Sequence, residues 1–305
     1  MKKQKNRSNS LKSSKNLLIA TAVTLTAILI LSAIYVSTRP AASQSPKAAI
    51  IDQLASSQLS PSSRHGNTSF IQAARTLLLK RFSQVDYYSD NATVDQYRSL
   101  PTRGYKFILW RTHSALALSS NYVAVFTSEK YGTKDYDQYL NNGMLTLCNI
   151  TDDPNLYFGV TPKFVREGMS GRFEDTVIVF MSCNGLNKEY SGTADVFVEK
   201  GAKAFISWDG WIGFSDNDAG VSIMLQHLIE GNETVKEAVA KVPTYVSNLG
   251  TNTLHYYPFG AADYRIPDYR QEHEATAYLI MTWWSRAKTR IRPAGCLDCQ
   301  VLESS

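Results

Sequence analysis

Thr176-Val-Ile-Val-Phe-Met181, with Ser182 and Cys183 directly behind it, is an unbroken run of apolar and β-branched residues. Such a run, without the polar–apolar alternation of a half-exposed strand, marks a strand covered on both faces. Shorter runs of the same kind lie on either side. Ala48–Asp52, Val85–Tyr88 and Tyr105–Trp110 precede it, and Ala204–Trp208 follows. Between them lie helical signals. Ser69 to Gln72 reads as a capping box opening a helix through about Phe82, with Phe70, Ala73, Ala74, Leu77 and Leu78 at helical spacing. Thr93 to Gln96 reads as a second box, before a short helix closed by Pro101. Helices are also predicted at about Thr193–Lys200 with Gly201 as the C-cap signal, at Asp218–Glu230, at Thr234–Lys241 and from His273 to about Lys288. Alternating strands and helices predict an α/β fold with a mostly parallel sheet flanked by helices on both faces. Tyr122–Phe126 and Met144–Leu147 lack a long helix between them, so an inserted hairpin or lobe is expected there.

Charge and hydropathy set the rest of the organisation. Lys2, Lys3, Lys5, Arg7, Lys12 and Lys15 are six positive charges with no acid beside them, in a chain whose net charge is +5. The body is therefore close to neutral, and no nucleic-acid partner is expected. Leu17–Ser37 is an uncharged apolar run about one bilayer long. With the basic residues before it, the run predicts a single-pass signal anchor in the cell membrane, N-terminus inside and body outside. A cleaved signal ending near Ala41-Ala42-Ser43 is the alternative. The expected organisation is a basic cytoplasmic tail over 1–16, a transmembrane anchor over 17–37, a linker over 38–47, an α/β domain over 48–290 and a tail over 291–305. Four N-x-[ST] triplets, at Asn67, Asn91, Asn149 and Asn232, fit an exterior domain.

Ligands of open α/β sheets meet the C-terminal strand ends. Two residues with catalytic chemistry fall there: His113, just past Tyr105–Trp110, and Cys183, just past Thr176–Met181. A thiolate is a strong nucleophile, and an imidazole can carry its proton. Taken singly, each also suits a plain structural place, the Cys as a small buried hydrophobe and the His as a satisfied polar residue. Cys148 has no assigned role. Cys296 and Cys299 form one CxxC, half a zinc site, so neither a metal nor a cofactor is expected. No GxGxxG or Walker sequence follows the first strand, which leaves nucleotide binding without support.

Phe180-Met-Ser-Cys183-Asn-Gly185, then Gly192-Thr-Ala-Asp-Val-Phe-Val-Glu-Lys-Gly201-Ala-Lys-Ala-Phe-Ile-Ser-Trp208, then Asp216-Asn-Asp-Ala-Gly220 and a helix ending at Glu230-Gly231, resemble the caspase-fold cysteine peptidases. The CHAT-domain and gingipain-like branches are the most similar, and the resemblance spans about Ala48 to Val242. It implies a caspase-like sheet, Cys183 as nucleophile and His113 as general base and acid. It also implies an oxyanion hole built from the backbone N–H groups of Ser114 and Cys183, and a substrate pocket near Trp208, Asp209, Trp211 and Asp216, where Asp209 or Asp216 pairs with a basic substrate side chain. The expected function is a membrane-anchored extracytoplasmic cysteine endopeptidase acting on peptides or proteins through a thioester. The family usually has Gly where this chain has Ser114, so a catalytically inactive caspase-like binding or scaffold domain is the alternative reading.

Overall fold

The computed structural model describes residues 46–117, 120–247 and 250–270. The Leu17–Ser37 run, the helix expected from His273 and the Cys296/Cys299 pair lie outside the described residues. Among those described, no helix is long and apolar enough to cross a membrane.

Five parallel strands form the centre. They are β1 (Lys47–Asp52), β2 (Val85–Tyr88), β3 (Tyr105–Arg111), β8 (Thr176–Met181) and β9 (Ala202–Trp208). A sixth, β12 (Leu254–Tyr257), runs antiparallel to β9 at one edge. The order is β12-β9-β8-β3-β1-β2. Side chains on successive strand positions face opposite ways, which builds two cores. Ala48, Ile50, Phe107, Leu109, Val177, Val179, Ala204 and Ile206 meet α1 (Thr68–Leu78), α5 (Phe214–Leu225) and α6 (Val235–Ala240) on one side. Ala49, Ile51, Ile108, Trp110, Ile178, Phe180 and Phe205 meet α2 (Val94–Ser99) and α4 (Gly192–Glu199) on the other. The molecule is thus a mixed α/β fold with a mostly parallel central sheet.

The expected insertion is larger than a hairpin. Between β3 and β8 lie β4 (Ser114–Leu116), β5 (Val123–Lys130), a short α3 (Asp137–Asn141), β6 (Leu145–Asn149) and β7 (Leu156–Val160). The strands make an antiparallel sheet in the order β4-β5-β7-β6, packed through Val123, Val125, Phe158 and Val160 onto the second core. A small hairpin, β10 (Tyr245–Ser247) with β11 (Gly250–Asn252), precedes β12.

Local signals fare unevenly. Thr234 and Glu237 form a two-armed capping box, and Thr93 caps α2. Gly201 has φ 106°, and a Cβ there would lie 2.3 Å from the Phe173 carbonyl oxygen, so only glycine serves. The first helix, however, is not capped at Ser69. Asn67 accepts the Phe70 N–H and α1 begins two residues earlier than expected. Because Asn67 Nδ2 also donates to Asp218, this sequon side chain is already engaged. The helix expected at Asp218 begins at Phe214 and ends in a π-turn over Gln226–Glu230.

Candidate active site

Strand β3 pairs with β8 in parallel register, Arg111 opposite Met181. His113 and Cys183 each lie two residues beyond that last pair, so the sheet delivers both to the same level at adjacent strand ends. Both line one cleft of about 570 Å³ between the central sheet, the β4–β7 lobe and the start of α5.

The backbone of His113 is pinned on both sides. Its N–H donates to Gln53 Oε1 at 3.1 Å, and its carbonyl accepts the Phe126 N–H at 3.2 Å. Gln53 is fully buried and also donates to the Thr127 carbonyl, so its amide ties β1's end to β5 behind the histidine. The imidazole Nε2 lies 3.3 Å from the Ser63 carbonyl oxygen. A carbonyl only accepts, so that nitrogen carries the proton and Nδ1 keeps the lone pair. Burial pushes the His113 pKa down to about 4, helped by the neighbouring His65 and Arg111 and opposed by the Ser63 carbonyl. At neutral pH the ring is an uncharged base.

Cys183 sits in the turn after β8. Burial raises its thiol pKa above the ordinary value, partly offset by the Ile212 backbone. Sγ donates to the Ile212 carbonyl at 3.7 Å. The resting pair is therefore neutral thiol and neutral imidazole, not a preformed ion pair. Asn184, directly after it, has φ 58°, a left-handed geometry that Asn tolerates better than most residues. Two buried polar atoms of this turn, Ser182 Oγ and Asn184 Nδ2, have no partner among the described residues. Such unmet groups gather at sites where function outweighs local stability.

The oxyanion donors expected from the sequence occupy compatible places. The Ser114–Val125 pair alternates with the hydrogen-bonded His113–Phe126 position, so the Ser114 N–H points off the free edge of β4. The Cys183 N–H donates to no group among the described residues. Ser114 Oγ donates to the Cys183 carbonyl at 2.7 Å and ties the two segments together. Ser114 is not among the residues with positive φ, so serine carries no backbone penalty here.

Of the four residues expected in the substrate pocket, one lines this cleft. Trp211 stands at its wall, 41% exposed. Trp208 is fully buried, shares the core face of Ala204 and Ile206, and donates Nε1–H to Asn217. Asp209 accepts the Thr253 N–H and pairs with His255 Nε2 at 3.0 Å in a different pocket. Asp216 lies in the first turn of α5 and is not part of the cleft lining. Asp218, read from sequence as a helix-start residue, is instead bound through both oxygens by Arg111, whose other arm holds Asp52. All three are buried under the site. Burial raises the Asp52 carboxyl pKa, and the Arg111 charge works against that rise.

Two contributors escaped the sequence reading. His65 lines the cleft, stacked on Phe214 at 3.8 Å between ring centres and 6.2 Å from the His113 ring. Gln53 supports the histidine backbone. Neither belongs to a local pattern: Gln53 acquires its role when the end of β1 lies beside β3, and His65 when the loop before α1 meets the start of α5.

No protein-family model matches this chain, and no curated protein sequence matches it.

Proposed function

We propose that the protein is a cysteine endopeptidase with a caspase-like arrangement, using Cys183 as nucleophile and His113 as its proton partner. The matched placement of the two residues beyond Arg111 and Met181, in one cleft, carries this reading. A peptide carbonyl bound between them is attacked by Sγ while the thiol proton passes to His113 Nδ1. The oxyanion then accepts from the Ser114 and Cys183 N–H groups, an interaction whose donors supply about 3 kcal/mol each in comparable sites. His113 returns the proton to the amine, the C–N bond breaks and a thioester remains. Water, deprotonated by the same nitrogen, hydrolyses it, releasing the acid and restoring the thiol. The absence of a direct Sγ–imidazole hydrogen bond suits a substrate that enters between the two groups; such contacts often tighten only in the complex.

The apolar Leu17–Ser37 run and its basic flank support placing this activity outside the cell on a membrane anchor. The whole chain then pellets with membranes, and added protease reaches the body from outside; a soluble product beginning near Ala42 would show a cleaved signal instead. One observation favours the second reading, an inactive caspase-like binding domain: the resting thiol is protonated and faces the Ile212 carbonyl. The two separate on incubating the full-length chain with a defined peptide mixture and sequencing new termini. The peptidase reading requires cleavage that Cys183→Ala abolishes; binding without any new terminus would leave the second reading standing.

A further inference from the structure

Among the described residues, the wall of the His113–Cys183 cleft contains no Asp, Glu, Lys or Arg. Its large side chains include Leu116, Phe126, Ile150, Trp211, Ile212 and Phe214, and its polar ones are hydroxyls, amides, the Cys183 thiol and the two histidines. Of the charges nearby, Arg111 is spent on Asp52 and Asp218 beneath the floor, and Asp209 on His255 and the Thr253 N–H. The Asp153 carboxylate accepts from Ser60, Asn155 and Tyr157, and both it and Asp216 lie outside the lining. A charged side chain entering this cleft would lose water and find no countercharge on its walls, which is heavily penalised. An apolar one would find aromatic surface beside the reacting pair. Phe214 stands edge-on to His113 at 5.6 Å, Phe126 lies 5.8 Å from the same ring, and His65 braces Phe214 from behind. Trp211, on the short connection between β9 and α5, leaves much of its indole uncovered at the cleft wall. Burial lowers the pKa of both His65 and His113, so neither supplies a cation at neutral pH.

We propose that this cleft selects a large uncharged side chain, aromatic or aliphatic, on the substrate residue whose carbonyl Cys183 attacks. The proposal rests on the peptidase reading and replaces the expectation of a basic side chain paired with Asp209 or Asp216. Trp211 and Phe214 are its specificity-determining residues. A pocket of this kind, mostly apolar with a few oriented polar groups, discriminates by burial and by the absence of a counterion.

Matched tripeptidyl chloromethyl ketones ending in Phe, Leu, Asp or Arg test it on the full-length chain. The Cys183 sulfur displaces chloride, forming an S–C bond while the thiol proton leaves through His113. Each labelling rate at Cys183 is read by peptide mass and divided by the rate with iodoacetamide, which removes intrinsic thiol reactivity. The Phe and Leu reagents should exceed Asp and Arg by at least ~10-fold. Trp211→Ala should lower the normalised Phe rate several-fold; the side chain stands outside the core, and far-ultraviolet circular dichroism checks that the fold is kept. Fastest labelling by the Asp or Arg reagent would overturn the selectivity while leaving Cys183 as nucleophile. Labelling by iodoacetamide but by none of the ketones would overturn both the selectivity and the peptidase reading.

Discussion

Two pockets of similar size, about 570 and 550 Å³, open on this molecule, and each contains a histidine. In the first, His113 lies beside a cysteine among uncharged groups, its backbone held by Gln53 and its ring by a carbonyl. In the second, His255 stands half exposed against Asp209, with Lys188, Glu189, Tyr256 and Tyr257 around it and no cysteine, serine or threonine among the described lining residues. Volume does not separate them. The first has an imidazole kept neutral by burial and a thiol delivered by the neighbouring parallel strand. The second has a polar surface contact whose geometry is open to solvent. The contrast predicts that structural and chemical effects concentrate at the first.

The largest effect is expected beneath it. Arg111→Ala leaves Asp52 and Asp218 buried without their partner, at a cost of about 3–5 kcal/mol in urea unfolding. A loss under about 1 kcal/mol would mean that water reaches this triad.

Next comes acid sensitivity. His113 binds its proton at about pH 4 when folded and near 6.5 when unfolded. Between those values the unfolded chain holds more protons, so stability falls as pH falls through the window and is fully present above it. The difference amounts to at most about 3 kcal/mol at pH 4. His65 and Arg111 face the same ring and oppose its protonation, while Asp153 favours it. Unfolding midpoints of wild type and His113→Gln, compared at pH 7 and pH 4.5, should diverge in favour of the variant at low pH. Parallel curves would show that the ring is hydrated and the cleft less closed than described.

The kinetic prediction follows. His113→Ala should lower kcat/KM for a cleaved peptide at least ~100-fold with the fold retained, the lower end for general acid–base catalysis. Equal losses in His113→Ala and His255→Ala would erase the distinction between the pockets. The smallest effect belongs to the second pocket alone. His255→Ala should cost less than about 1 kcal/mol in urea unfolding, as exposed pairs do, and leave Cys183 alkylation unchanged.

The central strands were legible because covered strands write themselves as continuous apolar runs, and Thr176–Met181 coincides with β8. The edge strand β12 was not, since Leu254-His-Tyr-Tyr257 is short and polar on its open side. The lobe was seen in part: Tyr122–Phe126 and Met144–Leu147 overlap β5 and β6, but Leu156–Val160 was not assigned as the strand between them. At the site, strand order placed His113 and Cys183 correctly at neighbouring ends. The family resemblance implies a pocket near Trp208, yet its parity with Ala204 and Ile206 turns it to the core. Asp218 looked like a helix-start residue, and Arg111 drew no notice. Their bond joins β3 to α5 across more than a hundred residues, and no local pattern announces such a pairing.

The most direct test is a crystal structure of the full-length chain with a peptide aldehyde ending in Phe. A bond between Cys183 Sγ and the aldehyde carbon is expected. It places the resulting oxygen within hydrogen-bond reach of the Ser114 and Cys183 N–H groups, with His113 Nδ1 facing the new centre. An aldehyde bonded elsewhere, or a Cys183 adduct with the His113 ring directed away from it, would contradict the assignment of these two residues as one catalytic pair.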